Sequence, residues 1–134
     1  MYMKRIWTNG CFDILHVGHI RLFEYARSLG TSLTVGIDSD QRVRHLKGSS
    51  RPINHQNYRK EMLMAIQWID NVVVFDDEYE LESLISKLAD KMIVGSDYVN
   101  KEVIGASHCE VGFFEKIPSI STTDIISKMC ECKE

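Results

Sequence analysis

Five short apolar runs constrain this chain more than any other feature. They fall at residues 5–8, 33–37, 72–75, 92–94 and 110–114, and helical patterns separate them along the whole length. Runs that are apolar throughout suit strands covered on both faces of a parallel sheet. Strands that alternate with helices build βαβ units, and right-handed crossovers leave only doubly wound arrangements. The expected fold is α/β: a Rossmann-like doubly wound sheet of about five parallel strands with helices on both faces. Between the strands, a helix is expected from Gly18 to Leu29, with Gly30 as its C-cap. Residues 38–54 read as a polar, basic loop with a helical turn at 40–45. A helix over 55–68 should turn Tyr58, Met62, Leu63, Ala65 and Ile66 toward a core. Two more follow, at 79–88 and from about Ser121 onward.

Composition narrows the classes. The 134 residues carry 16 Lys+Arg against 19 Asp+Glu, a net charge of −3, with 44% hydrophobic residues. A disordered chain would be poorer in apolar residues, and one domain spanning 1–134 is the expectation at this length. The mild acidity argues against a nucleic-acid partner, which calls for a basic surface. The local basic stretch 42–51 still suits a small phosphate-bearing ligand. No apolar run approaches the ~18 residues of a membrane span, so no membrane partner is expected. Residues 1–13 read as a strand and a turn instead of a secretory signal. With no export signal, Cys11, Cys109, Cys130 and Cys132 are expected as reduced thiols in a cytoplasmic protein.

The chemistry concentrates where strands end. Thr8-Asn9, Asp38, Asp76, Gly95 to Asp97 and Glu115 place polar or small residues at those points. In doubly wound sheets this rim is where ligands bind. The sharpest signal is His16-Val17-Gly18-His19, between the first strand and the first helix. Two imidazoles three residues apart share one face of a first helical turn. The free amides and the positive dipole end there favour an anion. Gly18 allows close backbone approach. Such a set suits nucleotide phosphates and the charge that develops during transfer. The chain has no G-x-x-x-x-G-K-[ST] loop, no G-x-G-x-x-G and no G-x-S-x-G turn, which weakens kinase, dinucleotide-oxidoreductase and hydrolase readings.

Residues 9–19 (NGCFDILHVGH) resemble the first signature of the H-x-G-H nucleotidyltransferase superfamily, and residues 120–126 (ISTTDII) resemble its second. Within it, the runs 46–54 (LKGSSRPIN), 95–98 (GSDY) and 102–105 (EVIG) are similar to the heptose 1-phosphate adenylyltransferases. Glycerol-3-phosphate cytidylyltransferases are similar in size and share the first and last motifs, but not the Lys-Gly-x-Ser-Arg-Pro-x-Asn run. The resemblance implies that His16, His19 and Lys47 carry catalysis. It implies that Thr8, Asn9, Gly10, Phe12 and Gly18 line a phosphate turn, and that Gly95, Asp97, Ser121, Thr122 and Thr123 hold base, ribose and phosphates. Asp13, Asp38 and Arg59 become substrate-binding candidates, with either aspartate a possible Mg²⁺ contact. It also implies an NTP and a phosphorylated sugar or polyol as substrates, and a homodimer; Mg²⁺ is the expected cofactor because it offsets the triphosphate charge, and no protein-held metal is expected. Two departures weaken the cytidylyl reading: Lys116 stands where an Arg precedes the late motif, and Gln67-Trp68 replaces Arg-Tyr. The sugar kinase often fused to the heptose enzyme is not expected in this chain.

Plainer roles exist for each residue. The His pair could cap the helix or hold half a metal site; Lys47 could be a solvated loop lysine. Arg51 and Arg59 could pair with surface carboxylates. Asp13 could cap the next turn, and Ser121 should cap a helix whatever else it does. Trp7 and Trp68 read as core, and Cys11 as a space filler. Two rival classes follow: a nucleotide-binding regulatory module without turnover, and a metal protein using His16, His19 and the Cys130-x-Cys132 tail.

Overall fold

The computed structural model describes residues 3–118 and 120–132. Strands β1 (Arg5–Gly10), β2 (Ser32–Asp38), β3 (Asn71–Phe75), β4 (Lys91–Gly95) and β5 (Glu110–Phe114) form one sheet in the order β3-β2-β1-β4-β5. Every pairing in it is parallel. Helices α1 (Val17–Ser28), α2 (Asp40–Lys47), α3 (Gln56–Met64) and α4 (Glu78–Leu88) occupy the connections, and α5 (Thr122–Glu131) follows β5.

The pleat explains why the strands read as unbroken apolar runs. Adjacent residues enter opposite cores: Ile6 and Ile93 join Phe23 and Ala26 of α1 and Leu63 of α3 on one face. Trp7 and Met92 join Leu81 and Ile85 of α4 on the other. The sheet is thus covered on both faces, as the alternating pattern requires.

Several local expectations need correction. β1 runs on through Asn9 and Gly10, because their ladder with Gly36 and Ile37 of β2 continues. Residues 40–47 form a whole helix, capped by the Ser39 hydroxyl on the Arg42 amide at 3.2 Å. Gly30 is not the C-cap of α1; Leu29 is. Glycine is needed there for close packing, since a Cβ would strike the Lys4 carbonyl and Ile6. α3 ends at Met64, and Tyr58 and Met62 are each 61% exposed instead of lining a core.

The connection from β1 crosses to β2 on one side, and that from β3 returns to β4 on the other side of β1. The carboxyl ends of β1 and β4 therefore flank the point where the winding reverses, and a crevice opens above them.

Candidate active site

The turn after β1 builds a paired imidazole cap. His16 is the N-cap of α1, and its Nδ1 accepts from the Gly18 amide at 3.1 Å. The His16 amide donates in return to Nδ1 of His19, 3.2 Å away. The two rings stack with centroids 3.8 Å apart. An amide donor at each Nδ1 leaves the ring proton on Nε2, so both imidazoles are neutral and offer an Nε2–H donor. Burial, then the neighbouring His16 and Lys116, push the His19 pKa down to about 3. Burial also lowers that of His16. Phe12, at a positive φ of 49°, packs its ring edge-on to His19 and Phe23, 5.2 Å from each. Gly18 has a closer reason than phosphate approach: a Cβ would lie 2.9 Å from Cε1 of His16.

These histidines sit in a cleft of about 570 Å³ at the carboxyl ends of the strands. Its floor is the end of β1, where the buried Thr8 hydroxyl donates to the Ile93 carbonyl at 2.9 Å. Asn9 is held by Trp7, whose Nε1 donates to Oδ1 at 2.9 Å. On the β2 side stand Asp38, Arg42, Lys47 and Arg51; on the β4 side stand Gly95, Asp97, Tyr98 and Lys116. The start of α5 closes the cleft. The Ser121 hydroxyl caps it at the Asp124 amide (3.0 Å), and the Thr122 hydroxyl ties it to the Ile14 carbonyl (2.8 Å). Two helix N-termini, each a natural anion site, thus meet the same space.

Charges in the wall are mostly paired. Arg42 Nε meets Asp38 at 2.8 Å, Arg51 Nε meets Asp13 at 3.1 Å, and Lys116 Nζ meets Asp97 at 3.3 Å. Lys47, exposed at the end of α2, forms no ion pair with a described residue. Cys11 lies in the same wall, and burial pushes its thiol pKa up. That keeps the thiol protonated and makes it no nucleophile.

The structure brings together His16, His19, Lys47, Thr8, Asn9, Gly10, Phe12, Asp13, Gly18, Asp38, Gly95, Asp97, Ser121, Thr122 and Thr123 around this cleft. Two of the substrate-binding candidates need correction. Arg59 is only 1% exposed and is not in the wall. Its guanidinium is spent on the carbonyls of Asn54, Cys11 and Asp38 and on the Asp40 carboxylate, all at 2.8–3.0 Å. Asp13 does not cap the next turn, nor are its oxygens free for a metal or a hydroxyl. They accept from the amides of Ile53 and Asn54 and from Arg51 Nε, at 2.7–3.1 Å. Conversely, Arg42 and Arg51 line the cleft without having been singled out as ligand groups, and Lys116, which stands in for the arginine before the late motif, lines it as well. The basic run 42–51 was the signal for the first two.

Among the described residues, no three His, Cys, Asp or Glu side chains converge as a metal site. Cys130 and Cys132 are exposed free thiols. No helix among those residues is long and apolar enough to cross a membrane.

Residues 7–128 match the family model described as cytidylyltransferase-like. The chain belongs to the cytidylyltransferase-like family. The likeness carried by residues 9–19 and 120–126 is therefore met along most of its length. The chain is 44% identical over 133 residues to the bifunctional protein HldE of Campylobacter jejuni subsp. jejuni serotype O:6, covering 97% of this chain and 28% of that protein. It is 42% identical over 125 residues to the HldE of Campylobacter fetus, covering 92% and 27%. It thus spans little more than a quarter of the length of these curated relatives. Among solved structures, a lipopolysaccharide core biosynthesis protein of Thermoplasma volcanium superposes with a TM-score of 0.72 at 23% identity, over 87% of this chain and 99% of that one. Pantothenate synthetase of Thermus thermophilus gives 0.63 at 11% identity, over 93% and 62%. These two likenesses concern the cytidylyltransferase-like fold alone.

Proposed function

We propose that this cytidylyltransferase-like chain transfers a nucleoside monophosphate from an NTP to a sugar phosphate and releases pyrophosphate. ATP and a heptose 1-phosphate are the first choice of substrates. The observation that carries the reading is the interlocked His16–His19 cap, two neutral Nε2–H donors at a helix N-terminus beside the winding reversal. The likeness to HldE proteins supports a sugar phosphate as acceptor, as do the runs 46–54, 95–98 and 102–105.

The reaction asks for positioning and preorganised donors more than covalent help. An oxygen of the acceptor's phosphate attacks the α-phosphorus. The bond from that phosphorus to the pyrophosphate bridge breaks, and pyrophosphate leaves with the electron pair. His16 and His19 donate to α- and β-phosphate oxygens as their charge grows. The amides at the start of α5 and Lys116 hold the nucleotide from the β4 side. Lys47 reaches the phosphates of the substrates from the β2 side.

Magnesium enters with the triphosphate as part of the substrate. The wall carboxylates suit that role better than a resident site, because Asp13, Asp38 and Asp97 are each already engaged with a cation. The family likeness adds a homodimer to the same proposal, checked by light scattering.

The deciding experiment is a pyrophosphate-release screen of four NTPs against a panel of sugar and polyol phosphates. Release with ATP and heptose 1-phosphate is expected. Release with CTP and glycerol 3-phosphate would move the substrate assignment to the cytidylyl side. Nucleotide binding without release in any combination would leave a regulatory module.

A further inference from the structure

The cleft wall contains one polar group whose needs the folded chain does not meet. Arg51 has a side chain only 11% exposed, and Nη2 is buried without a hydrogen-bond partner among the described residues. Guanidinium stays charged at any working pH. Buried charged donors are normally satisfied, so an orphan in a cleft wall marks a place that a ligand completes.

This guanidinium is held in place. Asp13, whose side chain is fully buried, accepts Nε of Arg51 at 3.1 Å and the amides of Ile53 (2.7 Å) and Asn54 (2.8 Å). The Asn54 side chain donates back to the Asp13 carbonyl at 3.0 Å. Four hydrogen bonds thus clamp the Arg51 loop to the segment that leads directly into His16. The clamp occupies Nε and leaves the terminal nitrogens, a planar fork matched to phosphate oxygens.

The cleft has two anion-binding sides. His16, His19, the start of α5 and Lys116 form one. Arg51 belongs to the other, with Lys47, Arg42 and Asp38 at the end of β2. Transfer at the α-phosphorus needs two separate phosphates, and the attacking one must approach opposite the leaving pyrophosphate. Arg42 is already engaged by Asp38.

We propose that Arg51, aligned by Asp13, is the binding residue for the acceptor's phosphate group. The proposal rests on the nucleotidyl-transfer reading above. Arg51 orients the attacking oxygen and offsets the repulsion between the two phosphates.

The test compares wild type, Arg51→Gln and Arg51→Lys. In steady-state assays, Arg51→Gln should raise the KM for the sugar phosphate roughly 10–100-fold, and leave the KM for ATP within twofold. Arg51→Lys keeps a donor for Asp13 and a charge but loses the fork. It should fold as wild type and raise the acceptor KM by a smaller factor. A parallel calorimetric arm titrates inorganic phosphate into protein saturated with α,β-methylene-ATP, and needs no turnover. Phosphate binding should weaken at least tenfold in Arg51→Gln, while affinity for α,β-methylene-ATP holds. Equal losses for nucleotide and phosphate, no loss for either, or no phosphate binding to wild type would overturn the assignment. If wild type binds phosphate through Arg51 yet releases no pyrophosphate, the anchor stands and the transferase reading falls. If Arg51→Gln fails to fold, the Arg51→Lys values decide by the same criteria.

Discussion

His16 and His19 cap one another: each Nδ1 accepts an amide of the same helical turn, and the rings stack 3.8 Å apart. The cap therefore uses the two Nδ1 atoms while the proposed chemistry uses the two Nε2 atoms, and substitution can separate them. In His19→Asn, the side-chain oxygen can still accept the His16 amide where Nδ1 did, but no donor reaches as far as Nε2. Stability should stay within about 1 kcal/mol of wild type, the scale of a single cap bond. Turnover should fall by about 10²–10³, the usual cost of one preorganised donor. Urea titration and pyrophosphate release check the two halves; wild-type turnover in this variant would remove His19 from the mechanism.

The same burial gives acid sensitivity with a definite sign. His19 has a folded-state pKa of about 3 against 6.5 as a free side chain. Its neutral form is the one the fold accepts, so its contribution to stability is complete above pH 6.5 and is lost as pH falls from there toward 3. The slope approaches about 1.4 kcal/mol per pH unit for one such group. His16, shifted the same way by burial, adds to it. Thermal melts from pH 7 to pH 5 sample the upper part of that window. They should show a falling Tm in wild type and a shallower fall in His19→Asn.

The sheet was legible because its strands are buried on both faces, and continuous apolar runs such as 33–37 and 72–75 have no other comfortable place. α2 was less so. Only Val43 of it is buried, and its other residues are those of a solvated loop; the Ser39 cap was the usable sign. α3 misled in the opposite way. Tyr58 and Met62 keep helical spacing yet stay exposed, while Arg59 between them is buried. Periodicity reports hydrophobicity, and it is blind to a guanidinium that finds three carbonyls and a carboxylate. The histidine cap was visible because its partners are neighbours in sequence. The Asp13–Arg51 clamp was not, because 38 residues separate its two ends.

Arg59 should behave as a structural cation. Its side chain is fully buried, and Nη2 donates to Asp40 at 2.8 Å. That carboxylate also pairs with the Gln56 amide at 2.8 Å, and its pKa lies below the usual range. Arg59→Met removes the charge while keeping much of the volume, and leaves the Asp40 carboxylate and three carbonyls short of a donor. A loss of about 3–5 kcal/mol is expected, as for other broken buried pairs. Urea unfolding measures it. A drop in activity that tracks the unfolded fraction is predicted, with the nucleotide KM of the folded fraction unchanged. A raised nucleotide KM at full folding would return Arg59 to the site.

Gly18→Ala sets two effects of similar size against each other. Alanine at this second helical position should stabilise α1 by about 0.5–1 kcal/mol relative to glycine. Its Cβ, however, would lie 2.9 Å from Cε1 and 3.0 Å from Nδ1 of His16, too close for the ring to stay. Moving the ring breaks the bond from the Gly18 amide to Nδ1, at a cost of about 0.5–2 kcal/mol. It also turns Nε2 away from its place beside His19. Stability should therefore change by no more than about 1.5 kcal/mol, because the gain offsets much of the loss. Turnover has no such offset and should fall at least tenfold with the acceptor KM little changed. A melt and a steady-state assay on one preparation distinguish this from the alternative that Gly18 only gives phosphate room to approach the backbone. In that case nucleotide affinity would collapse and the His16 ring signals in a proton–nitrogen NMR spectrum would stay where they are.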